Sequence, residues 1–328
     1  MRAIEIKKVV EQIIQYAYQQ QASDIYLVPQ ADCYDLTLRI QDTHQFIEQR
    51  SFHETISLIS FLKYKAQMNI SENRRPQSGT LSLEVDGKTL QLRLSSIGDF
   101  KNRESLVIRL LYDKVSQLNF FFETQVQQLQ ALTQKRGLFV FSGATGSGKT
   151  TTMYLLAKAL AKNETVIAVE DPVEIETPEI LQLQVNEAAG MDYMTLVKGT
   201  LRHRPDTLII GEIRDAKTAQ TAVTAALSGH LVLTTVHARS TGGVVERLLD
   251  LGLSTNVLQN TLTTVCYQRL LTDRQQQPHV LCDVLTGEGL NNAIQQPGQG
   301  FVQWQEQLKK LRDYQRIEQQ TYEKFKDG

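Results

Sequence analysis

Gly143-Ala144-Thr145-Gly146-Ser147-Gly148-Lys149-Thr150 is the stretch whose reading decides the fold. It has the form G-x-x-x-x-G-K-S/T of a phosphate-binding loop. An apolar run, Leu138-Phe139-Val140-Phe141-Ser142, leads into it, and a helical run opens at Thr151 and continues to Leu160. Strand, glycine loop and helix together are the context that the motif needs. Successive backbone N–H groups then form an anion nest, and the helix N-terminus adds its partial positive charge. Gly143, Gly146 and Gly148 let the backbone come close to the phosphates. Lys149 brings a point charge to the outer phosphates, and the Thr150 hydroxyl can hold Mg2+. The binding residues expected here are therefore Gly143 through Thr150, together with Thr151.

Outward from the loop, apolar strands (138–142, 165–169, 207–210, 231–235) alternate with helical stretches (150–161, 192–202, 216–227, 241–250). That alternation predicts an α/β domain, a parallel sheet with helices on both faces. The segment before it reads differently. A helical spacing over 3–21, short strands at 25–28 and 36–40, and a helix from Phe52 to Met68 come first. Two alternating runs, 80–85 and 89–94, follow around Asp86-Gly87, which is a strong hairpin signal. With a further strand at 106–111, this predicts a smaller α+β unit over 1–111. A linker is expected over 112–124, the α/β domain over 125–300, and a charged helical tail with a solvated face over 301–328.

The chain has 328 residues and 41% hydrophobic content, enough for two domains with cores of their own. Its net charge of −1 provides no basic field, so direct binding to nucleic acid is not expected. Cys33, Cys266 and Cys282 are scattered, giving neither a disulfide framework nor a zinc site, and they suit a reducing cytosol. The first residues lack the apolar core of a signal peptide, and no apolar run approaches a membrane span.

A phosphate loop alone gives nucleotide binding; hydrolysis also needs an acid near Mg2+ and a group that positions water. Glu170-Asp171-Pro172-Val173-Glu174 leaves a strand at the sheet edge where open α/β sheets bind ligands. Taken alone, the same residues also fit an exposed acidic turn. A second strand ends in Gly211-Glu212, where a carboxylate can reach the metal's water shell; alone, Glu212 also fits a salt bridge to Arg214. His237 leaves the strand at 231–235 on the same edge and could contact the γ-phosphate, or be structural.

These residues carry a resemblance. The series GATGSGKTT (143–151), AVEDPVE (168–174), LRHRPDTLIIGEIRD (201–215) and LSGHLVLTTVHA (227–238) resembles the ATPases of bacterial type II secretion and type IV pili. Gln184-Val185-Asn186 is also typical of that group. Ala22-Ser23-Asp24-Ile25 and Arg74-Arg75-Pro76-Gln77-Ser78-Gly79 extend the likeness forward. The resemblance implies a RecA-like P-loop NTPase domain preceded by a PAS-like α+β domain. It implies Glu212 as the catalytic carboxylate, with Glu174, Glu170 and Asp171 serving Mg2+ and water. Thr150, Glu174 and Glu212 would then be the metal residues, and His237 the γ-phosphate sensor. Arg93 and Arg109 lie in strands resembling those whose arginines reach a neighbouring subunit's nucleotide; alone, each also fits a strand-edge salt bridge.

The departures matter too. The chain is too short for the extra N-terminal domain of many members, the four-cysteine zinc knuckle is missing, and no retraction signature is found. Arg204, Ala238 and Arg239 replace residues usual in the family. The pattern is most similar to the competence-pilus assembly ATPases of Gram-positive bacteria. That likeness implies a homohexamer using ATP and Mg2+, cytoplasmic and peripheral at the inner face of the cell membrane. Its partners would be an inner-membrane platform protein and, indirectly, pilin subunits, with no zinc. A retraction or type II secretion ATPase, a conjugation-type ATPase and a non-hydrolysing nucleotide-binding regulator stay open.

Overall fold

The computed structural model describes residues 3–40, 43–112, 118–186, 189–298 and 300–328. The chain divides into two units, Met1–Asp113 and Lys114–Gly328. Among the described residues, no helix is long and apolar enough to cross a membrane.

In the first unit, strands β1 (Asp24–Pro29), β2 (Tyr34–Ile40), β3 (Thr43–Arg50), β4 (Gln77–Val85), β5 (Lys88–Gly98) and β6 (Glu104–Leu111) form one antiparallel sheet. Their order is β3-β2-β1-β6-β5-β4. Helices α1 (Ala3–Gln19) and α2 (Phe52–Lys65) contribute Val10, Ile14, Leu58 and Leu62 to a core shared with Ile25, Leu38, Leu94 and Ile108. The period of two along each strand sends these residues to one face and their neighbours to the other. The Asp86-Gly87 turn closes the β4–β5 hairpin with positive φ at both residues (50° and 73°), as the two-residue turn requires.

Two details depart from the sequence reading. Helix α2 ends at Lys65, short of Met68, because Ala66 caps it and Gln67 turns left-handed at φ 56°. Strand β3 gave no periodic signal: it is an edge strand whose side chains are mostly exposed, so nothing selects for alternation.

The second unit is built on a seven-stranded sheet of order β13-β12-β7-β11-β10-β8-β9. Strands β7 (Gly137–Ser142), β8 (Val166–Glu170), β9 (Leu181–Gln184), β10 (Thr207–Ile210), β11 (Leu231–Val236) and β12 (Leu262–Thr272) run parallel, and β13 (Pro278–Thr286) is antiparallel to β12. Strand β7 is buried throughout, and its alternation divides the core. Leu138 and Val140 pack with α6 (Ala216–Leu227) and α7 (Thr241–Asp250). Phe139 and Phe141 pack with α3 (Glu123–Leu132) and α4 (Lys149–Leu160). Helices therefore cover both faces, and the sheet is that of an α/β fold.

Of the expected linker 112–124, residues 113–117 lie outside the described residues. Residues 119–121 are tied into the second unit: Phe121 N–H donates to the Val280 carbonyl (3.0 Å) and Val280 N–H to the Asn119 carbonyl (2.7 Å). The segment from 301 is a packed part of the same unit. Its helix Trp304–Asp313 buries Trp304, Leu308 and Leu311 against Tyr267, Leu271 and Leu281 and turns its charged residues outward. That i, i+4, i+7 spacing is the signature of a helix with one buried stripe.

Candidate functional site

The loop between β7 and α4 is shaped by its glycines. Gly143, Gly146 and Gly148 all have positive φ (137°, 78° and 83°), and Gly148 is the residue preceding α4. A Cβ on Gly143 would lie 2.2 Å from the Gln268 carbonyl oxygen, so only glycine passes there. Because Gly148 has no side chain to cap α4, the first N–H groups of the helix stay available to an anion. Among the described residues, the buried Ser147 hydroxyl has no hydrogen-bond partner. An unsatisfied polar group in a cradle of this shape fits a phosphate ligand, since burying it without a partner costs free energy.

Lys149 is buried, and its ammonium donates to the carbonyls of Gly143 (3.0 Å) and Ala144 (2.9 Å). Burial lowers its pKa; the charges of Glu174 and Glu212 oppose that, and Arg269 adds to it. Two acids from different loops thus act electrostatically on the loop lysine, although Glu174 is itself exposed.

The carboxyl ends of the parallel strands bring the other groups together. The segment after β10 is pinned between its neighbours. Gly211 N–H donates to the Val169 carbonyl, Ile213 N–H donates to the Thr235 carbonyl (both 2.9 Å), and the Thr235 hydroxyl donates to the Gly211 carbonyl at 2.9 Å. This holds Glu212 at the sheet edge. One of its oxygens is paired with Arg214, and the other lies 3.6 Å from His237 Nε2. Arg214 also lies 3.9 Å from Asp171. Tyr193, on α5 (Tyr193–Thr200), sits beside this group: its hydroxyl borders Gly211, and burial and the charges of Asp171 and Glu212 raise its pKa.

Glu170 is turned inward. Its carboxyl accepts a short hydrogen bond from the Tyr154 hydroxyl, which in turn accepts from Gln182 Nε2 (2.6 Å). Burial pushes Glu170 up to about 7; Glu174 adds to the rise, and Tyr154 and Gln182 oppose it. A carboxyl raised in the folded state keeps its proton while the unfolded chain releases one. Stability should therefore fall as pH rises from the ordinary value of 4.5 to about 7, and level off above that. Glu170→Gln should remove this slope, worth on the order of a few kcal/mol, in urea unfolding across that range. Parallel slopes in the two proteins would show that Glu170 is ionised throughout.

Arg93 and Arg109 lie in the first unit, directly opposite each other across β5 and β6. Arg109 Nε donates to Asp24 Oδ1 at 2.8 Å, and Arg93 is half-buried. Like charges facing across a ladder repel, and Asp24 offsets one of them.

With this geometry in place, comparison with known proteins gives a family. The family described as Type II/IV secretion system protein matches residues 2–321. This chain belongs to that family. It is similar to the competence protein ComGA of Streptococcus pneumoniae, with 46% identity over 81% of this chain and 85% of that one. It is also similar to ComGA of Bacillus subtilis, with 40% identity over 81% and 76% of the two chains. In fold it matches the ATPase DotB of Legionella pneumophila, with a TM-score of 0.73 over 96% and 94% of the chains at 19% identity.

Sequence reading missed three residues of this site. Gln268 is fully buried in β12, and its Nε2 donates to the Ser147 carbonyl at 2.7 Å, bracing the loop. A glutamine inside an apolar strand was the available signal. Tyr193 and Tyr154 carried none, because aromatic residues on helices are ordinary core.

Proposed function

We propose that this chain is an ATP-hydrolysing motor for assembly of a competence pilus. It works as a homohexamer in the cytoplasm, at the inner face of the membrane. It acts on a platform protein and, through that, on pilin subunits. The observation that carries the reading is the grouping of Glu212 with His237 and Arg214 on the edge that bears the loop, with Glu174 and Glu212 acting electrostatically on Lys149. The printed names of the most similar relatives support the competence assignment.

The residues present fit a nucleotide and its Mg2+: a glycine cradle, a buried ammonium, an unpartnered Ser147 hydroxyl and several carboxylates. The loop amides and Lys149 bind the phosphates. Thr150, Glu174 and Glu212 would hold Mg2+, which supplies positive charge against the negative charge developing on the phosphoryl oxygens. Glu212 orients the attacking water and takes up its proton, and its ion pair with Arg214 holds the carboxylate in place. His237, next to Glu212, reports the γ-phosphate. Arg93 and Arg109 complete the site of a neighbouring subunit, where such arginines contribute roughly 10³–10⁵ in rate.

Turnover measured against protein concentration, with mass followed by light scattering, tests this. Specific activity should rise as rings assemble, and mixing Arg93→Ala with Glu212→Gln subunits should restore part of it. Full turnover by a monomer would sink the ring mechanism, and an absence of turnover at every concentration would sink the ATPase reading.

A further inference from the structure

The acidic run that leaves β8 is tied down at both of its ends, and a residue of α4 takes part. Tyr154 lies four residues after Thr150, one turn further along the helix that follows the phosphate loop. It is fully buried, and its hydroxyl donates to the carboxyl of Glu170, the last residue of β8. Gln182, on the edge strand β9, completes the tie. Its Nε2 donates to the Tyr154 hydroxyl at 2.6 Å and to the Ile175 carbonyl at 2.7 Å. Its Oε1 accepts from Thr177 N–H at 2.8 Å.

Glu174 sits between these anchors. Its side chain is exposed, and its place is set by the backbone on either side of it. Before it, Val173 N–H donates to Gln184 Oε1 at 3.4 Å; after it, the Ile175 carbonyl is held by Gln182. The start of the run is fixed against the segment that carries Glu212. Gly211 N–H donates to the Val169 carbonyl at 2.9 Å, and a Cβ on Gly211 would lie 3.4 Å from Glu170 Cα. Burying a phenol hydroxyl and a carboxyl costs free energy unless they are hydrogen-bonded, and a satisfied buried cluster fixes one arrangement of the elements that supply it. Here those elements are α4, β8 and β9, so the cluster sets the acidic run against the helix of the phosphate loop.

The geometry points to Tyr154 and Gln182 as positioning residues for Glu174: they lock the acidic run to α4, and so hold Glu174 at a fixed place relative to Thr150 and the Mg2+ that both would bind. Glu170, the first acid of the run, serves as their anchor in the core. The inference rests on the proposed role of Glu174. Removing the groups that orient a metal-binding carboxylate typically costs about ten- to a hundredfold in metal affinity or activity.

Tyr154→Phe removes one oxygen and keeps the ring, so the core stays filled. In the nucleotide-free protein it should speed amide hydrogen exchange over 173–177 about tenfold, because the run loses an anchor. In calorimetric titrations with ADP, affinity without Mg2+ should stay within about twofold, while the Mg2+ concentration that half-saturates the gain in affinity should rise about tenfold. The kcat for ATP should fall by a similar factor. Gln182→Ala, on the sheet edge, should give the same effects. In the Glu174→Gln background, Tyr154→Phe should change neither the Mg2+ dependence nor kcat any further, because it acts through that carboxylate; a purely structural role would add its cost in both backgrounds. Normal Mg2+ dependence and kcat in Tyr154→Phe and Gln182→Ala, or additive losses in the Glu174→Gln background, would overturn the positioning role while leaving that of Glu174 intact. Normal Mg2+ dependence and turnover in Glu174→Gln alone would overturn the role of Glu174 and this inference with it.

Discussion

Glu212→Gln is expected to lower ATP turnover by about a thousandfold while nucleotide binding stays within a few-fold of normal. The substitution keeps the shape of the side chain and an oxygen that can still accept from Arg214. The backbone around it is pinned by the hydrogen bonds of Gly211 and Ile213 to the neighbouring strands, so the amide should occupy the place of the carboxylate. What is lost is the negative charge and the ability to take a proton from water. A loss confined to kcat is the mark of a group that acts in the transition state. Single-turnover measurements with bound ATP would separate this from slow product release. Normal turnover would remove Glu212 from the catalytic role and leave its pairing with Arg214 as a structural salt bridge.

Lys149→Ala should abolish both turnover and tight binding, weakening ATP affinity by roughly a hundredfold or more. The ammonium is buried and held by two loop carbonyls, so it stands close to where the phosphates must sit. A charge in that environment is screened far less than one on the surface, and alanine offers nothing in its place. The fold should survive. The Ala144 carbonyl is half-buried beside the exposed Thr145 and Gly146, so water can replace the lost donor there, and the glycine conformations do not depend on the lysine side chain. Calorimetric titration with MgADP and a thermal melt would check both halves. Near-normal ADP affinity in the alanine variant would mean that the loop amides alone bind the phosphates. In cells, the same variant should lose transformation; intact transformation would count against the competence assignment.

The phosphate loop, the alternation after it and the hairpin at Asp86-Gly87 were legible because each rests on local chemistry. Gly143 needs a left-handed backbone, Lys149 and Thr150 sit at a fixed spacing, and the hairpin turn needs small or flexible residues. Glu212 and His237 were legible as candidates because each ends a buried strand, and strand ends of a parallel sheet share one edge. That they are 3.6 Å apart was not legible, since it depends on β10 and β11 being neighbours. Strand β3 was missed because an exposed edge carries no periodic signal. The inward turn of Glu170 was missed because nothing in the EDPVE run distinguishes a carboxyl facing Tyr154 from one facing solvent.

By itself, the sequence determined the phosphate loop, the class of both units and, through its motif set, the family. These follow from residue types at short spacings, which constrain the backbone wherever they occur. Only the tertiary structure decided which strands flank the loop, that Gln268 braces it, and that the segment from 301 is packed beside Arg269 and the His237 loop. Those facts join residues far apart in the chain, Gln268 and Ser147 by 121 positions and Arg269 and Gly328 by 59. Their contacts depend on strand order and on the packing of Trp304, neither of which is encoded in any local pattern.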